Sequence, residues 1–236
     1  MRKPKIESES SFKLTMQNAK VPSAKHLPAL QAKKRPAQQR ATETYERILE
    51  ATALVLVDVG IERLSTNLVC ERAGLSPPAL YQYFPNKYAL LSELGQRLMR
   101  RQNEVVPRWI NLDILQGPLE EVEDAVAGLL LDTYHVTRDT HGGVWIMRAL
   151  RAVPALEQVR LASHAEMTKA QTALLAQALP DADINELRLT VRIVVELIYA
   201  SVEMLFDEPL DQEAVSRRVA AMMASQLVRF RAPPSE

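Results

Sequence analysis

Nowhere does this chain alternate β-branched or aromatic residues with polar ones over the roughly four to eight positions that a half-buried strand needs. Its apolar residues instead recur at helical spacing: Ile48, Leu49, Thr52, Val55, Leu56 and Val59 fall on one face of a 3.6-residue period. Glycine, the residue most costly to a helix interior, occurs only seven times, and aromatics make up 5% of the residues. An all-α fold follows. With 236 residues the chain is long enough to bury a sizeable core in one large domain or two small ones.

The zero formal net charge hides an asymmetry. Residues 1–101 hold 17 Lys and Arg against 9 Asp and Glu, whereas residues 102–236 hold 12 against 20. A basic half joined to an acidic half points to one half meeting a polyanion, although charge alone is equally consistent with an uneven solvated surface. Residues 1–40 concentrate the imbalance, with ten basic and two acidic residues, four prolines and no lasting apolar period. They read as a disordered basic arm. Its last cations, Lys33, Lys34, Arg35 and Arg40, are placed either to reach a nucleic-acid backbone or simply to keep the chain solvated.

Cys70 is the single cysteine, so no intrachain disulfide can form, and the second helix reads it as a small core residue. No apolar run approaches the ~18 residues of a membrane-spanning helix, and the N-terminal stretch lacks a signal-like apolar segment. A reduced cytoplasmic protein is expected, with no membrane association.

Helix signals divide the rest. Thr42 or Thr44 can cap a first helix running to about Val59, with Gly60 as its left-handed stop. Ser65 or Thr66 caps a short second helix to Ala73, and Gly74-Leu75 turns the chain. Ser76 caps a third helix, which carries Pro77 and Pro78 in its first turn and ends near Phe84. A linking helix follows over 87–105, then a loop around Pro107 and Gly117-Pro118. Further helices are expected over about 119–139, 141–152, 154–179, 183–207 and 211–230, the last capped by Asp211. The domain boundaries implied are an arm at 1–40, a three-helix unit at 41–86 and a helical domain at 87–236.

Two short helices joined by Ala73-Gly74-Leu75-Ser76 have the size of a helix-turn-helix, whose second helix enters the major groove. Leu68, Val69, Ala73, Leu75, Leu80 and Phe84 supply the inner face. The outer face is small at Pro77, Pro78 and Ala79 and polar at Tyr81, Gln82 and Tyr83.

The run Ser65 to Ser76 and its continuation Pro77-Pro78-Ala79-Leu80-Tyr81-Gln82-Tyr83-Phe84-Pro85-Asn86-Lys87 resemble the DNA-binding unit of the TetR family, and Arg47-Ile48-Leu49-Glu50-Ala51 with Gly60 resembles that family's first helix. The resemblance covers about residues 41–95. It implies an all-helical homodimer that binds a palindromic double-stranded operator through three N-terminal helices. The fourth helix links them to an effector-binding and dimerisation domain. By position, Ser65, Thr66 and Asn67 would meet DNA from the second helix, and Ser76, Pro77, Pro78, Ala79, Tyr81, Gln82 and Tyr83 from the recognition helix, with Lys87 on a phosphate. The chemistry suits the roles unevenly. Tyr hydroxyls and an ammonium suit phosphates, and Asn67 and Gln82 can pair with adenine. The recognition helix has no Arg or Lys before Lys87, a departure that throws weight onto phosphate contacts and the arm.

No catalytic constellation is legible in 105–236, so no enzyme and no cofactor is expected. His135, His141 and His164 lack metal-ligand spacing, so no metal is expected either. A pocket for a small apolar or aromatic effector would lie among helices 87–105, 119–139, 141–152 and 154–179. Tyr134, Trp145, Met147, His164 and Met167 are its candidate lining, each otherwise ordinary core. Arg192, Glu196, Tyr199 and Glu203 are spaced 4, 3 and 4 apart on one face of an otherwise apolar helix. An exposed stripe, a polar dimer seam and a pocket wall all fit that pattern; the family resemblance implies the dimer seam for this helix or the last. The expected function is ligand-released transcriptional repression. The alternative is a DNA-binding protein controlled by a protein partner without a small-molecule pocket.

Overall fold

A computed structural model describes residues 28–33 and 38–231. Among them every regular element is helical: α1 (Gln39–Arg63), α2 (Thr66–Ala73), α3 (Pro77–Tyr81), α4 (Lys87–Asn103), α5 (Val106–Trp109), α6 (Leu112–Gln116), α7 (Leu119–Asp139), α8 (Gly143–Ala152), a 3-10 turn at Pro154–Leu156, α9 (Glu157–Ala178), α10 (Ile184–Asp207) and α11 (Gln212–Arg231).

Local chemistry explains most of the boundaries. The Ser65 side chain accepts from Leu68 N, Asn86 Oδ1 from Ala89 N, and Asp211 Oδ1 from Ala214 N, so α2, α4 and α11 each start on a satisfied cap. Asp183 Oδ1 caps α10 by accepting from Asn185 N and Glu186 N. Glu120 and Glu121 in the first turn of α7 and Arg138 in its last complement the helix dipole.

The start of α1 differs from expectation. The helix begins at Gln39, and the Thr42 and Thr44 hydroxyls turn back onto the carbonyls of Gln38 and Arg40 instead of capping. Gln39, Arg40 and Ala41 are good helix formers, so nothing stops the helix short of them. Gly60 has positive φ as expected, but with ψ 176° it kinks the chain, and one more turn reaches Arg63. Pro107 is likewise helical, within the first turn of α5, where its missing N–H costs nothing.

A buried cluster joins α1 to α4. Ile48, Leu56, Leu80, Phe84 and Leu90 are fully buried in it, and the Tyr45 and Phe84 rings lie 4.8 Å apart. The remaining helices pack antiparallel in pairs, α11 along α7 and α10 along α9, and α4 runs between α8 and α9. At the junction of the two parts, the Trp145 ring of α8 stands beside the kink at Gly60, 3.8 Å from where a Cβ on that glycine would lie. Arg97 of α4 donates two hydrogen bonds to the Glu46 carboxylate of α1, at 2.6 and 2.8 Å.

Residues 28–33 of the expected arm lie against the helices. Leu30 packs against the core, Lys33 N donates to Tyr83 O at 2.7 Å, and Asn86 Nδ2 donates to Ala29 O. Apolar surface at Leu30 and Ala32 gives this short segment something to bury, which the overall charge of 1–40 concealed. The basic residues 1–27, with Lys34 and Arg35, lie outside the described residues.

Candidate nucleic-acid interface and inner cavity

The turn between α2 and α3 is built on Gly74, left-handed at φ 62°, which lets Leu75 N reach back to Cys70 O. Val69, Cys70, Ala73 and Leu80 are buried beneath it. Burial also raises the Cys70 thiol pKa, so it is a packed thiol rather than a nucleophile. The outer surface carries Asn67, Ser76, Pro77, Pro78, Tyr81 and Gln82, all exposed, with Thr66 and Ala79 half-buried beside them. The Thr66 and Tyr81 hydroxyls lie 3.0 Å apart and tie α2 to α3.

Three of the sequence-derived contacts are placed differently from their neighbours. Ser65 is occupied as the α2 cap. The Tyr83 ring is half-buried, edge-on to Tyr45 at 6.0 Å, so it serves packing as much as any surface. Lys87 Nζ donates to Leu64 O at 3.1 Å and so pins α4 to the end of α1. A cation that α3 itself lacks comes from outside it: Lys33 Nζ donates to Tyr81 O at 3.1 Å, at the C-terminal end of α3.

In the helical domain a cavity of about 130 Å³ opens between the C-terminal end of α4 and helices α5, α6, α7, α9, α10 and α11. Its walls are Val106, Ile110, Val126, Leu129, Val195, Ile198 and similar residues. The polar groups among them are neutral: Gln102, Asn103, Thr133, Gln171, Thr190, Gln226 and Tyr199. Of the five expected lining residues only Met167 reaches it. Met147 and His164 line a smaller cavity of about 20 Å³ with Leu98, Arg151 and Arg160; Gln102 and Tyr199 border both spaces. Tyr134 stacks on Phe206 at 4.6 Å, and Trp145 sits at the α1–α8 junction, both away from the cavity. Helix α8 does not line the larger space; α10 and α11 do. Residues at the α4 end, Gln102 and Asn103, escaped the sequence reading because a polar pair at a helix terminus looks like a solvated end.

The polar stripe of α10 faces the protomer's own helices. Glu196 pairs with Arg192 at 3.0 Å, Arg151 at 3.4 Å, Arg160 at 3.6 Å and His164 Nδ1 at 3.2 Å. Glu203 pairs with Arg151 at 2.8 Å. Tyr199 stacks on His164 at 4.6 Å and donates to Asn103 Oδ1. Of the expected dimer-seam residues, Glu196, Tyr199 and Glu203 meet partners on α4, α8 and α9 of the same protomer, whereas Arg192 pairs with Glu196 of its own helix. Burial, helped by the Arg160 and Arg192 charges and opposed by Glu196, lowers the His164 pKa to about 4, so its imidazole is neutral near pH 7. Beyond its first turn, α10 also exposes an apolar row: Leu189, Ile193 and Leu197, four residues apart, are 57%, 50% and 41% exposed, and Met222 and Val228 of α11 are similarly bare.

Among the described residues no cluster of His, Cys, Asp or Glu could hold a metal ion, and no helix is long and apolar enough to cross a membrane. Residues 48–94 match the family model described as bacterial regulatory proteins, tetR family. An uncharacterized HTH-type transcriptional regulator of Mycobacterium bovis is 32% identical over 76 residues, 32% of this chain and 39% of that protein. The class C tetracycline repressor protein of Escherichia coli is 41% identical over 54 residues, 23% of this chain and 25% of that one. The chain thus spans well under half the length of these curated relatives. Over 81% of its length it shares a fold with the fatty acid degradation regulator FadR from Bacillus halodurans, covering 97% of that chain, with a TM-score of 0.58 and 18% identity.

Proposed function

We propose that the chain, whose residues 48–94 match the tetR family model, is a homodimeric, DNA-binding transcriptional repressor of that family, released from its operator by a small apolar effector. The observation that carries this reading is the pairing of an exposed, side-chain-small α3 on one domain with an apolar cavity in the other.

Phosphates are met by Lys33, Lys87, Thr66 and the Tyr81 hydroxyl, which position the protein, while Asn67 and Gln82 read base edges. Dimerisation uses the bare apolar face of α10 and α11. Two copies joined there present their α3 helices to successive major grooves, about 34–36 Å apart. The effector occupies the cavity that borders the C-terminal end of α4. It acts by binding more tightly to a conformation whose α3 separation does not fit the operator, and the coupling equals that difference in affinity.

Fluorescence anisotropy with duplexes from the promoter of the protein's own gene tests the reading. A specific duplex should bind with Kd on the order of 10⁻⁸ M or tighter at physiological salt, and at least ~1,000-fold better than scrambled DNA. Binding indifferent to sequence and abolished by modest salt would refute it.

A further inference from the structure

At the α4 end of the larger cavity both hydroxyl protons are already spent. Tyr199 donates to Asn103 Oδ1 at 3.3 Å, and Thr133 donates to Leu129 O at 2.7 Å. The two amides there are tied as well. Gln102 Nε2 donates to Thr137 Oγ1 at 2.8 Å, and Asn103 Nδ2 donates to Ser163 Oγ at 3.1 Å. Each amide keeps one further N–H, but all four side-chain oxygens can still accept, so acceptors outnumber donors. Gln102 shows this most plainly: it is 2% exposed, and its carbonyl oxygen accepts no hydrogen bond from any described residue. Such an oxygen costs free energy while its bond is unmade.

Charge and size narrow what can fill the space. The lining holds no Asp, Glu, Lys, Arg or His, and desolvation raises the Tyr199 phenol above its ordinary range, so that group stays neutral too. An ion entering here would give up its hydration without meeting a countercharge, a strongly disfavoured transfer. The volume, about 130 Å³, is close to the ~150 Å³ in which an engineered protein void holds one benzene ring.

We infer that, within the effector reading proposed above, the ligand is an uncharged one-ring compound bearing a hydroxyl group, of the phenol class: its ring lies on the apolar walls and its O–H donates to the oxygens at the end of α4. A ring carrying only an ether oxygen would leave those acceptors unmade. The new bond would fall on the helix that leads to the DNA-binding unit, at the point where Thr137 and Ser163 already tie it to α7 and α9. No covalent bond changes, and no proton is taken up or released.

The test is calorimetric titration of the full chain at pH 7 with 4-cresol, anisole and benzoate. Cresol and anisole are isomers that differ in whether the oxygen carries a proton. Cresol should bind about tenfold tighter than anisole, as one extra hydrogen bond allows. Benzoate, ionised at this pH, should bind more weakly than either. Gln102→Met should reduce cresol to the affinity of anisole while leaving anisole within threefold. Should that variant fail to fold, the three-ligand comparison on the unaltered protein still decides. Anisole binding as tightly as cresol, benzoate binding as tightly as cresol, or binding of none of the three would overturn the inference. Operator binding without ligand, measured on the same preparation, separates this from the larger reading. If DNA binds specifically and cresol does not, only the ligand class is wrong; if cresol binds and no duplex is preferred, the repressor reading fails and the cavity assignment stands.

Discussion

His164 shows how one buried side chain can set a pH dependence. Its folded pKa near 4 lies below the unfolded value near 6.5, so the unfolded chain takes up a proton first as pH falls. Its contribution to stability is complete above about pH 6.5 and is lost progressively down to about pH 4. The 2.5-unit difference corresponds to roughly 3 kcal/mol. Urea titrations at pH 7 and pH 4 should show that loss, and His164→Asn should flatten it; an unchanged slope in the variant would assign the pH dependence elsewhere. Tyr81 gives a prediction about DNA instead. Tyr81→Phe removes an exposed hydroxyl that pairs with half-buried Thr66, so stability should move by under about 1 kcal/mol. Operator affinity should fall about five- to tenfold in an anisotropy titration, and an unchanged affinity would remove Tyr81 from the interface.

At the scale of elements, helix placement was largely open to a reader of the sequence, because caps and breakers act over three or four residues. Ser65 and Asp211 begin helices as the sequence suggests, and α4 and α10 start near the expected positions on caps, Asn86 and Asp183, that the sequence reading did not single out. Facing was far less legible. Arg192, Glu196, Tyr199 and Glu203 share a face by arithmetic, but only the tertiary positions of Arg151, Arg160 and His164 decide that the face turns inward. The same limit hid the cavity, whose walls come from seven helices, and sent Tyr134 and Trp145 to the wrong neighbourhood. One inter-element bond offers a check. Arg97 joins α4 to α1 through Glu46, holding that carboxyl below the usual range, with both groups partly exposed. Arg97→Met should cost roughly 1 kcal/mol and lower the melting temperature by a few degrees. A larger collapse would mean that this pair, and not the buried cluster of Ile48, Leu56 and Leu90, holds α1 to the linking helix.

For the whole molecule the decisive feature is the uncovered apolar face of α10 and α11. Leu189, Ile193 and Leu197 recur every four residues on a helix whose opposite face is already committed to the core. Ile193→Asp with Leu197→Asp should therefore convert the protein from dimer to monomer in sedimentation velocity, because like charges would face each other in an apolar seam. Near-native helicity should survive, since neither side chain supports the protomer interior. A monomer would also lose operator affinity by orders of magnitude, because each half-site would be gripped alone. Retention of the dimer would move the interface to another surface.

The segment from Pro28 to Lys33 reaches across to α3 by main-chain and lysine bonds to two carbonyls, those of Tyr83 and Tyr81. The C-terminal end of α3, the helix proposed to read the groove, is thus held by a tether some fifty positions upstream of it. Preparations trimmed by proteases at that strap would keep their helical spectrum and still be compromised readers of DNA, a fault that only a binding assay would reveal.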